Sequence, residues 1–163
     1  HLITLGHRRI ACIAGDPLHP DAVERLQGYR EALEQAGITY ESGLVAPGQF
    51  HEESGRLAME HLLDSRQRFT AVFACNDQMA FGAALALYRR GLRVPDDLSL
   101  VGFDDLAGAN YAIPPLSTVH QPAYELGRIT AQAMLQLLSG RKPDVAMPAP
   151  RFITRESSRR LRG

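Results

Sequence analysis

The sequence lacks several features that mark whole classes of protein. No stretch of its 163 residues approaches the roughly 18 consecutive apolar residues of a membrane-spanning helix. The opening HLITLGHRRI has neither the long apolar core nor the cleavage site of a signal peptide. Charge is balanced, with 18 Lys and Arg against 18 Asp and Glu, whereas a domain that neutralises phosphates is usually basic. We therefore expect no membrane partner and, from this chain alone, no DNA-binding surface.

Cysteine and histidine are too few and too scattered for a disulfide framework or a metal site. Cys12 and Cys75 lie in separate apolar runs, so we expect buried free thiols and a cytoplasmic protein. His51 and His61 are ten positions apart and cannot share one helix face as zinc ligands do. The phosphate-binding motifs and the Gly-x-Ser-x-Gly motif of hydrolases are also absent. We expect no metal, no cofactor and no catalytic residue.

Short apolar runs alternate with longer amphipathic segments along the chain. We predict strands at 10–14, 44–46, 71–74, 98–103, 117–120 and 152–154, and helices at 21–36, 51–65, 77–90 and 122–138. Asp21 and Asp77 are expected to cap two of these helices, and residues 1–5 are expected to end a helix that stops at Gly6. This alternation predicts an α/β fold with a doubly wound parallel sheet, covered by helices on both faces.

Polar or glycine-rich turns follow four predicted strands, at 15–17, 47–50, 75–77 and 104–105. Ligands of such sheets bind beyond the carboxyl ends of the strands. A carboxylate there can accept hydrogen bonds from two hydroxyls at once, so we favour ligand binding for Asp104, with capping and catalysis as alternatives. Neighbouring side chains on a strand point to opposite faces, so Asp105 is expected to cap the following turn.

Three more residues and one segment have both a functional and a structural interpretation. Asn76 offers a donor and an acceptor to a polyhydroxy ligand, or forms a tight turn. Arg25 lies near the mouth of the crevice or is a surface arginine. Phe50 anchors its loop to the core or forms an aromatic floor for a sugar ring. Residues 155–163 contain four arginines and predict a solvated tail, with a nucleic-acid arm as the less favoured alternative.

Four segments cover nearly the whole chain: GHRRIACIAG, RLQGYREALEQAGI, FTAVFACNDQMAFGAALALYRRGLRVPDDLSLVGFDD and IPPLSTVHQP. Together they resemble the effector-binding domain of the lactose/galactose repressor (LacI/GalR) family. The resemblance implies a type I periplasmic-binding-protein-like fold, with the effector between two lobes. It implies that residues 1–121 are the second, C-terminal lobe, that residues 122–149 are a helix and linker returning to the first lobe, and that residues 150–163 are the last strand of the second lobe and a tail. We expect the DNA-binding headpiece and most of the first lobe to lie outside this sequence.

The resemblance also implies roles for individual residues. The family's ligand-binding positions are matched by Arg25, Phe50, Asn76, Asp104 and Gln121. Its dimer interface is matched by Phe81, Ala84, Leu85, Tyr88 and Tyr111. Ala123 departs from members that have an aromatic residue at that position, so the apolar wall of the site is smaller or supplied elsewhere.

These features predict the ligand-sensing and dimerisation domain of a bacterial transcriptional repressor. We favour a sugar as its effector. Binding of the effector would change how the two lobes are arranged relative to each other across the homodimer, and would so control operator binding through the headpiece. A transport-type periplasmic sugar-binding protein of the same fold is the alternative. An enzyme acting on a glycosidic bond through Asp104 and Asp105 is a third hypothesis, but that chemistry needs two carboxyls about 5 Å or more apart that flank the bond, and neighbouring residues do not favour this.

Overall fold

The computed structural model describes residues 1–161 and shows an α/β fold built on a parallel sheet. The strands are β1 (Ile10–Ala14), β2 (Val45–Pro47), β3 (Ala71–Ala74), β4 (Ser99–Val101), β5 (Thr118–His120) and β6 (Arg151–Ile153). The helices are α1 (Pro20–Gln35), α2 (Glu52–Asp64), α3 (Asp77–Arg89) and α4 (Ala123–Leu138), with 3-10 turns at Ser42–Leu44 and Ala107–Asn110. Arg162 and Gly163, the end of the predicted tail, lie outside the described residues.

The main sheet confirms the doubly wound prediction. Its four strands are parallel and lie in the order β2-β1-β3-β4. The chain therefore moves from β1 to one side for β2, and then back past β1 for β3 and β4. Because such crossovers are right-handed, α1 covers one face of the sheet while α2 and α3 cover the other. All five residues of β1 are buried, as expected for a strand covered on both faces. The reversal of direction opens a crevice beyond the carboxyl ends of β1 and β3.

A second, two-stranded sheet joins the main sheet to α4. The strands β5 and β6 are antiparallel, and single bridges pair Val101 with Ser117 and Asp104 with His120 at the β4 edge. The helix α4 follows β5 directly and has no buried residue. Most of its large apolar side chains are exposed: Tyr124, Met134, Leu135, Leu137 and Leu138. Within residues 1–161, this helix therefore has an apolar face that nothing covers.

Three local predictions about the ends of helices are wrong. Residues 2–6 form a hydrogen-bonded turn, in which Leu5 donates to the carbonyl of His1, and not a helix. The helix α1 begins at Pro20, whose fixed φ suits the first helical position, so Asp21 lies inside the first turn and does not cap it. The cap of α3 is Asn76, because the carboxylate of Asp77 is occupied by contacts with other parts of the chain.

The C-terminal segment is not a solvated tail in the part that the structure describes. Ser157 is buried, and its hydroxyl donates to the carbonyl of Leu100 at 2.6 Å. Arg155 donates to the carboxylate of Asp105 at 2.6 Å. The acidic partners of Arg155 and Arg159 lie 50 and 63 positions earlier in the sequence, and local composition cannot reveal such partners.

His7 links the N-terminal turn to this C-terminal segment. Its side chain is only 2% exposed, with Nδ1 2.8 Å from the hydroxyl of Thr70 and Nε2 3.0 Å from the carbonyl of Arg159. Burial lowers the pKa of His7 from its ordinary value of 6.5, and the hydrogen bond to the carbonyl offsets this only in part. The folded protein therefore keeps this imidazole neutral where the unfolded chain takes up a proton.

Acidification is expected to destabilise the protein through His7. Because the unfolded chain binds more protons than the folded protein, the free energy of unfolding should fall as the pH drops through the ordinary histidine range near 6.5, by at most ~1.4 kcal/mol per pH unit from this group. Urea unfolding followed by circular dichroism measures the slope. The His7→Gln variant should be less stable at neutral pH but should lose this contribution, and equal slopes in both proteins would contradict the interpretation.

Candidate ligand-binding crevice

The five predicted ligand-binding residues come together beyond the carboxyl edge of the main sheet. Each stands at a different element: Arg25 in α1, Phe50 before α2, Asn76 before α3, Asp104 after β4 and Gln121 after β5. Contacts connect them into one group. The carboxylate of Asp104 contacts Arg25 and Gln121, the backbone of Phe50 contacts Asn76, and the guanidinium of Arg25 lies 5.7 Å from the ring centre of Phe50. The crevice therefore lies at the point where the order of the strands reverses, as open α/β sheets place their ligands.

Arg25 is held rigidly at the centre of this group. Its Nη1 donates to the carbonyl of Cys75 at 2.5 Å, and its Nη2 lies 3.3 Å from Oδ1 of Asp104. The guanidinium carbon is 4.0 Å from the ring centre of Phe103 and 5.7 Å from that of Phe50. The side chain is only 12% exposed. A planar cation fixed by two acceptors and two aromatic rings can offer its remaining N–H groups to a ligand in one defined orientation.

Asp104 offers an acceptor beside that cation. Gln121 donates to its Oδ1 at 2.9 Å, the same oxygen that contacts Arg25. The other oxygen, Oδ2, receives no hydrogen bond from the residues that the structure describes. Burial raises the pKa of Asp104 above its ordinary value, and the charge of Arg25 offsets this only in part. The free oxygen can therefore accept a hydrogen bond from a ligand hydroxyl. Such a hydrogen bond would replace those to water that the carboxylate loses on burial.

Phe50 anchors its loop and lines the crevice at the same time. Its backbone is left-handed, with φ of 62°, and its ring packs on the backbone of Gly15 at the end of β1. A Cβ atom at Gly15 would overlap the ring, so only glycine allows this close approach. His19 meets the ring edge-on, with ring centres 6.0 Å apart. The two interpretations of Phe50 are therefore compatible with each other.

Asn76 is already engaged by the protein at both ends of its amide. The side-chain oxygen accepts from the backbone N–H of Met79 at 2.9 Å, which caps α3. The side-chain nitrogen donates to the carbonyl of Phe50 at 2.9 Å. Asn76 therefore positions the aromatic residue, and only its second amide hydrogen and the second lone pair of its oxygen are left for a ligand. Its direct contact with a ligand stays a prediction.

The prediction that Asp105 caps the turn after β4 is wrong, because Asp77 does so. The N–H of Leu106 donates to Oδ2 of Asp77 at 2.8 Å, and the hydroxyl of Thr118 donates to Oδ1 at 2.5 Å. Asp77 is fully buried, and this burial raises its pKa. Asp105 instead contacts His120 and Arg155. Local sequence patterns carry no signal for these pairs, because the partners are far apart along the chain.

The described residues also bear on the expected chemistry. In residues 1–161, no group of three or more His, Cys, Asp or Glu side chains is arranged to hold a metal ion. Cys12 and Cys75 are buried free thiols, as predicted, with sulfur atoms 4.0 Å apart. Asp104 and Asp105 contact different arginines and do not form a shared pair. None of the helices in this part of the chain has the length and apolar character needed to cross a membrane.

The predicted dimer residues lie on and beside α3. Tyr88 is 79% exposed and Tyr111 85% exposed, while Leu85 is exposed to a smaller extent. Phe81 and Ala84 are half-buried, and the ring of Phe81 packs against Gly108 in the turn that precedes Tyr111. The helix and the turn therefore present their apolar side chains from adjacent positions.

A doubly wound lobe with a ligand crevice at its switch point defines a class of binding domain, and comparison with known proteins identifies it. Residues 1–158 match the family described as periplasmic binding protein-like domain, and the chain belongs to this family. Its relatives within the family are effector-binding domains of LacI-type regulators, so the predicted resemblance is confirmed.

Three similar proteins illustrate this relationship. The chain is 47% identical to the HTH-type transcriptional repressor CytR of Escherichia coli (strain K12) over 138 residues, which are 85% of the chain and 40% of the repressor. It superimposes on the transcriptional regulator CelR in complex with cellobiose with a TM-score of 0.90 and 43% identity, covering 96% of the chain and 49% of CelR. A dimeric Lac repressor with a C-terminal deletion and a single substitution gives a TM-score of 0.92 and 32% identity, covering 99% of the chain and 59% of that repressor.

These relatives are transcription regulators, which favours the regulator over the transport-type binding protein. The chain spans about 40% of the length of the curated relatives that it matches.

Proposed function

We propose that this chain is the ligand-sensing and dimerisation part of a cytoplasmic bacterial repressor, is not an enzyme, and binds a sugar. The observation that carries the proposal is the pair of Arg25 and Asp104 in the crevice, with the ring of Phe50 centred 5.7 Å from the guanidinium. A guanidinium donates to hydroxyl oxygens and a carboxylate accepts from hydroxyl hydrogens, so the pair suits a polyhydroxylated ligand. The aromatic ring suits the C–H face of a sugar.

The same proposal assigns the domain limits. Residues 1–121 form the second lobe, residues 122–149 return to a first lobe, and residues 150–163 complete the second lobe. In support, α4 has no buried residue, and the relatives are longer than this chain. Ala123, the first residue of α4, is exposed and small, so the apolar wall of the site is smaller or supplied elsewhere. Operator DNA would be contacted by a headpiece outside this sequence.

Calorimetric titration of the full-length natural protein with a panel of sugars, phosphosugars and purines tests the proposal. At least one sugar should bind, and Asp104→Asn should weaken it about tenfold to a hundredfold, since charge-assisted hydrogen bonds are lost. The matched control is Asp96→Asn, which removes a carboxylate that pairs with Arg159 away from the crevice and should leave affinity unchanged. Absence of binding by every compound would refute the proposal, and hydrolysis of a bound glycoside would favour an enzyme.

We also propose that the protein forms a homodimer through Phe81, Ala84, Leu85, Tyr88 and Tyr111. Exposed tyrosines on an apolar surface are typical centres of interface energy. Tyr88→Glu should raise the dimer dissociation constant by about thirtyfold or more in sedimentation experiments. Val23→Glu, on the opposite side of the sheet in α1 and also exposed, should leave it unchanged. A monomeric parent protein, or equal effects of both variants, would contradict the assignment.

A further inference from the structure

Two consecutive residues after β4 have left-handed backbone conformations although neither is glycine. Asp104 has φ of 113° and Asp105 has φ of 58°. Side chains with a Cβ atom rarely adopt such angles, and they persist only where surrounding contacts hold them. Since Asp104 is the acceptor of the crevice, whatever holds this backbone also sets the direction of its carboxylate.

The side chain of Asp105 supplies several of these contacts. Arg155 donates through Nη2 to Oδ1 at 2.6 Å, and Nδ1 of His120 lies 2.9 Å from Oδ2. Arg155 also donates through Nη1 to the carbonyl of Leu116 at 2.8 Å. The ion pair is largely withdrawn from solvent, with 14% of the Arg155 side chain and 16% of the Asp105 side chain exposed. Burial alone would raise the pKa of Asp105, but the contacts from Arg155 and His120 outweigh it and lower the pKa.

The partners of Asp105 stand on the two strands that flank α4 in the chain. His120 is the last residue of β5, and Arg155 follows β6 by two positions. The backbone N–H of Asp104 also donates to the carbonyl of Val119 in β5 at 2.9 Å. The loop that carries Asp104 is therefore attached to both strands through which the chain leaves the main sheet and returns to it.

We propose that Asp105 and Arg155 are positioning residues for effector binding. They hold the left-handed backbone so that the carboxylate of Asp104 faces Arg25 and Gln121, and they connect that carboxylate mechanically to β5 and β6. A ligand that binds Asp104 and displaces it therefore also displaces both strands flanking α4. This inference rests on the proposed function and adds residues that do not touch the ligand.

Hydrogen exchange of the ligand-free, full-length protein tests the positioning directly. In Arg155→Gln and in Asp105→Asn, the amide of Asp104 should exchange about tenfold faster or more, because a charge-assisted hydrogen bond no longer holds the loop. The amide of Cys75, bonded to the carbonyl of Ile13 in the neighbouring strand, is the internal reference and should not change. If the amide of Asp104 keeps its protection in both variants, Asp105 does not hold the loop.

Calorimetric titration with three probes, cellobiose, D-galactose and D-ribose, measures the affinity for a sugar. The loss of an ion pair that is merely structural would leave this affinity unchanged. Arg155→Gln and Asp105→Asn should each weaken the binding of a probe about tenfold to a hundredfold. The affinity of the double variant for the probe should be no lower than that of the more strongly affected single variant, because the two residues act as one unit. The matched control is Arg159→Gln, which breaks another ion pair of the same segment and should change affinity by less than about twofold.

The outcomes separate this inference from the proposed function. If the wild-type protein binds a probe and both single variants bind it with the same affinity, the positioning role is wrong and the proposed function still holds. If wild-type protein binds none of the probes, the exchange of the Asp104 amide alone decides whether Asp105 positions the loop. Should either variant fail to fold, His120→Gln removes only one of the two contacts to Asp105, and it should give a smaller acceleration of exchange at Asp104.

Discussion

Replacement of Gly82 by alanine is expected to lower the free energy of unfolding by about 3 kcal/mol, the upper end of what overpacking costs. Gly82 lies in α3 where this helix contacts α2, and a Cβ atom there would overlap the carbonyl oxygen of Glu52 and approach the backbone nitrogen of Arg56. The arrangement is reciprocal, because a Cβ atom at Gly55 of α2 would overlap the backbone of Met79 in α3. Backbone atoms of two packed helices cannot move aside as the end of a flexible side chain can.

Urea unfolding of the variant measures this effect, and Gly28→Ala is the matched control. Gly28 is also in a helix interior, in α1, but a Cβ atom there meets nothing within 4 Å. Alanine favours a helix over glycine by about 1 kcal/mol, so this control should be more stable than the parent protein. If Gly82→Ala behaves like Gly28→Ala, the close approach of α2 and α3 does not stabilise the fold.

The strands and helices could be predicted because their patterns are local. An apolar run bounded by turn residues placed β1 and β3 at 10–14 and 71–74, where the structure has them. The local pattern places the cap of α3 at Asp77, one residue after the actual cap Asn76. The pattern is wrong here because the distant residue Thr118 occupies the carboxylate of Asp77. Local patterns define elements, whereas cap residues depend on contacts between elements.

The candidate site was predicted only in part, for the same reason. Its place at the end of a strand favours Asp104, resemblance to a family assigns both Arg25 and Asp104 to the ligand, and the structure places these two residues in contact. Neither resemblance nor composition revealed that Phe103 stacks on the guanidinium, or that Arg155 pairs with Asp105 fifty positions away. Arginine-rich composition predicted a solvated tail, because composition does not show which carboxylates the fold brings close.

Arg25 is the residue whose conservative replacement should affect ligand binding most. A lysine at this position keeps the charge but cannot donate in a fixed plane to both Cys75 and Asp104, nor stack on Phe103. The carboxylate of Asp104 would then lose its oriented partner. We expect Arg25→Lys to weaken sugar binding about a hundredfold, since disruption of a buried hydrogen-bonded charge pair costs several kcal/mol, of the order of 2 to 5.

Calorimetry on the full-length protein measures this loss, and Arg30→Lys provides a control on the same helix. The guanidinium of Arg30 also lies over an aromatic ring, 4.9 Å from the ring centre of Tyr40, and it donates to the Tyr40 hydroxyl at 3.3 Å. It stands outside the crevice, so its replacement should leave affinity unchanged. Equal affinities of the two variants would mean that charge alone at Arg25 is sufficient, whereas a selective loss in Arg25→Lys would show that the planar, stacked guanidinium is what the ligand requires.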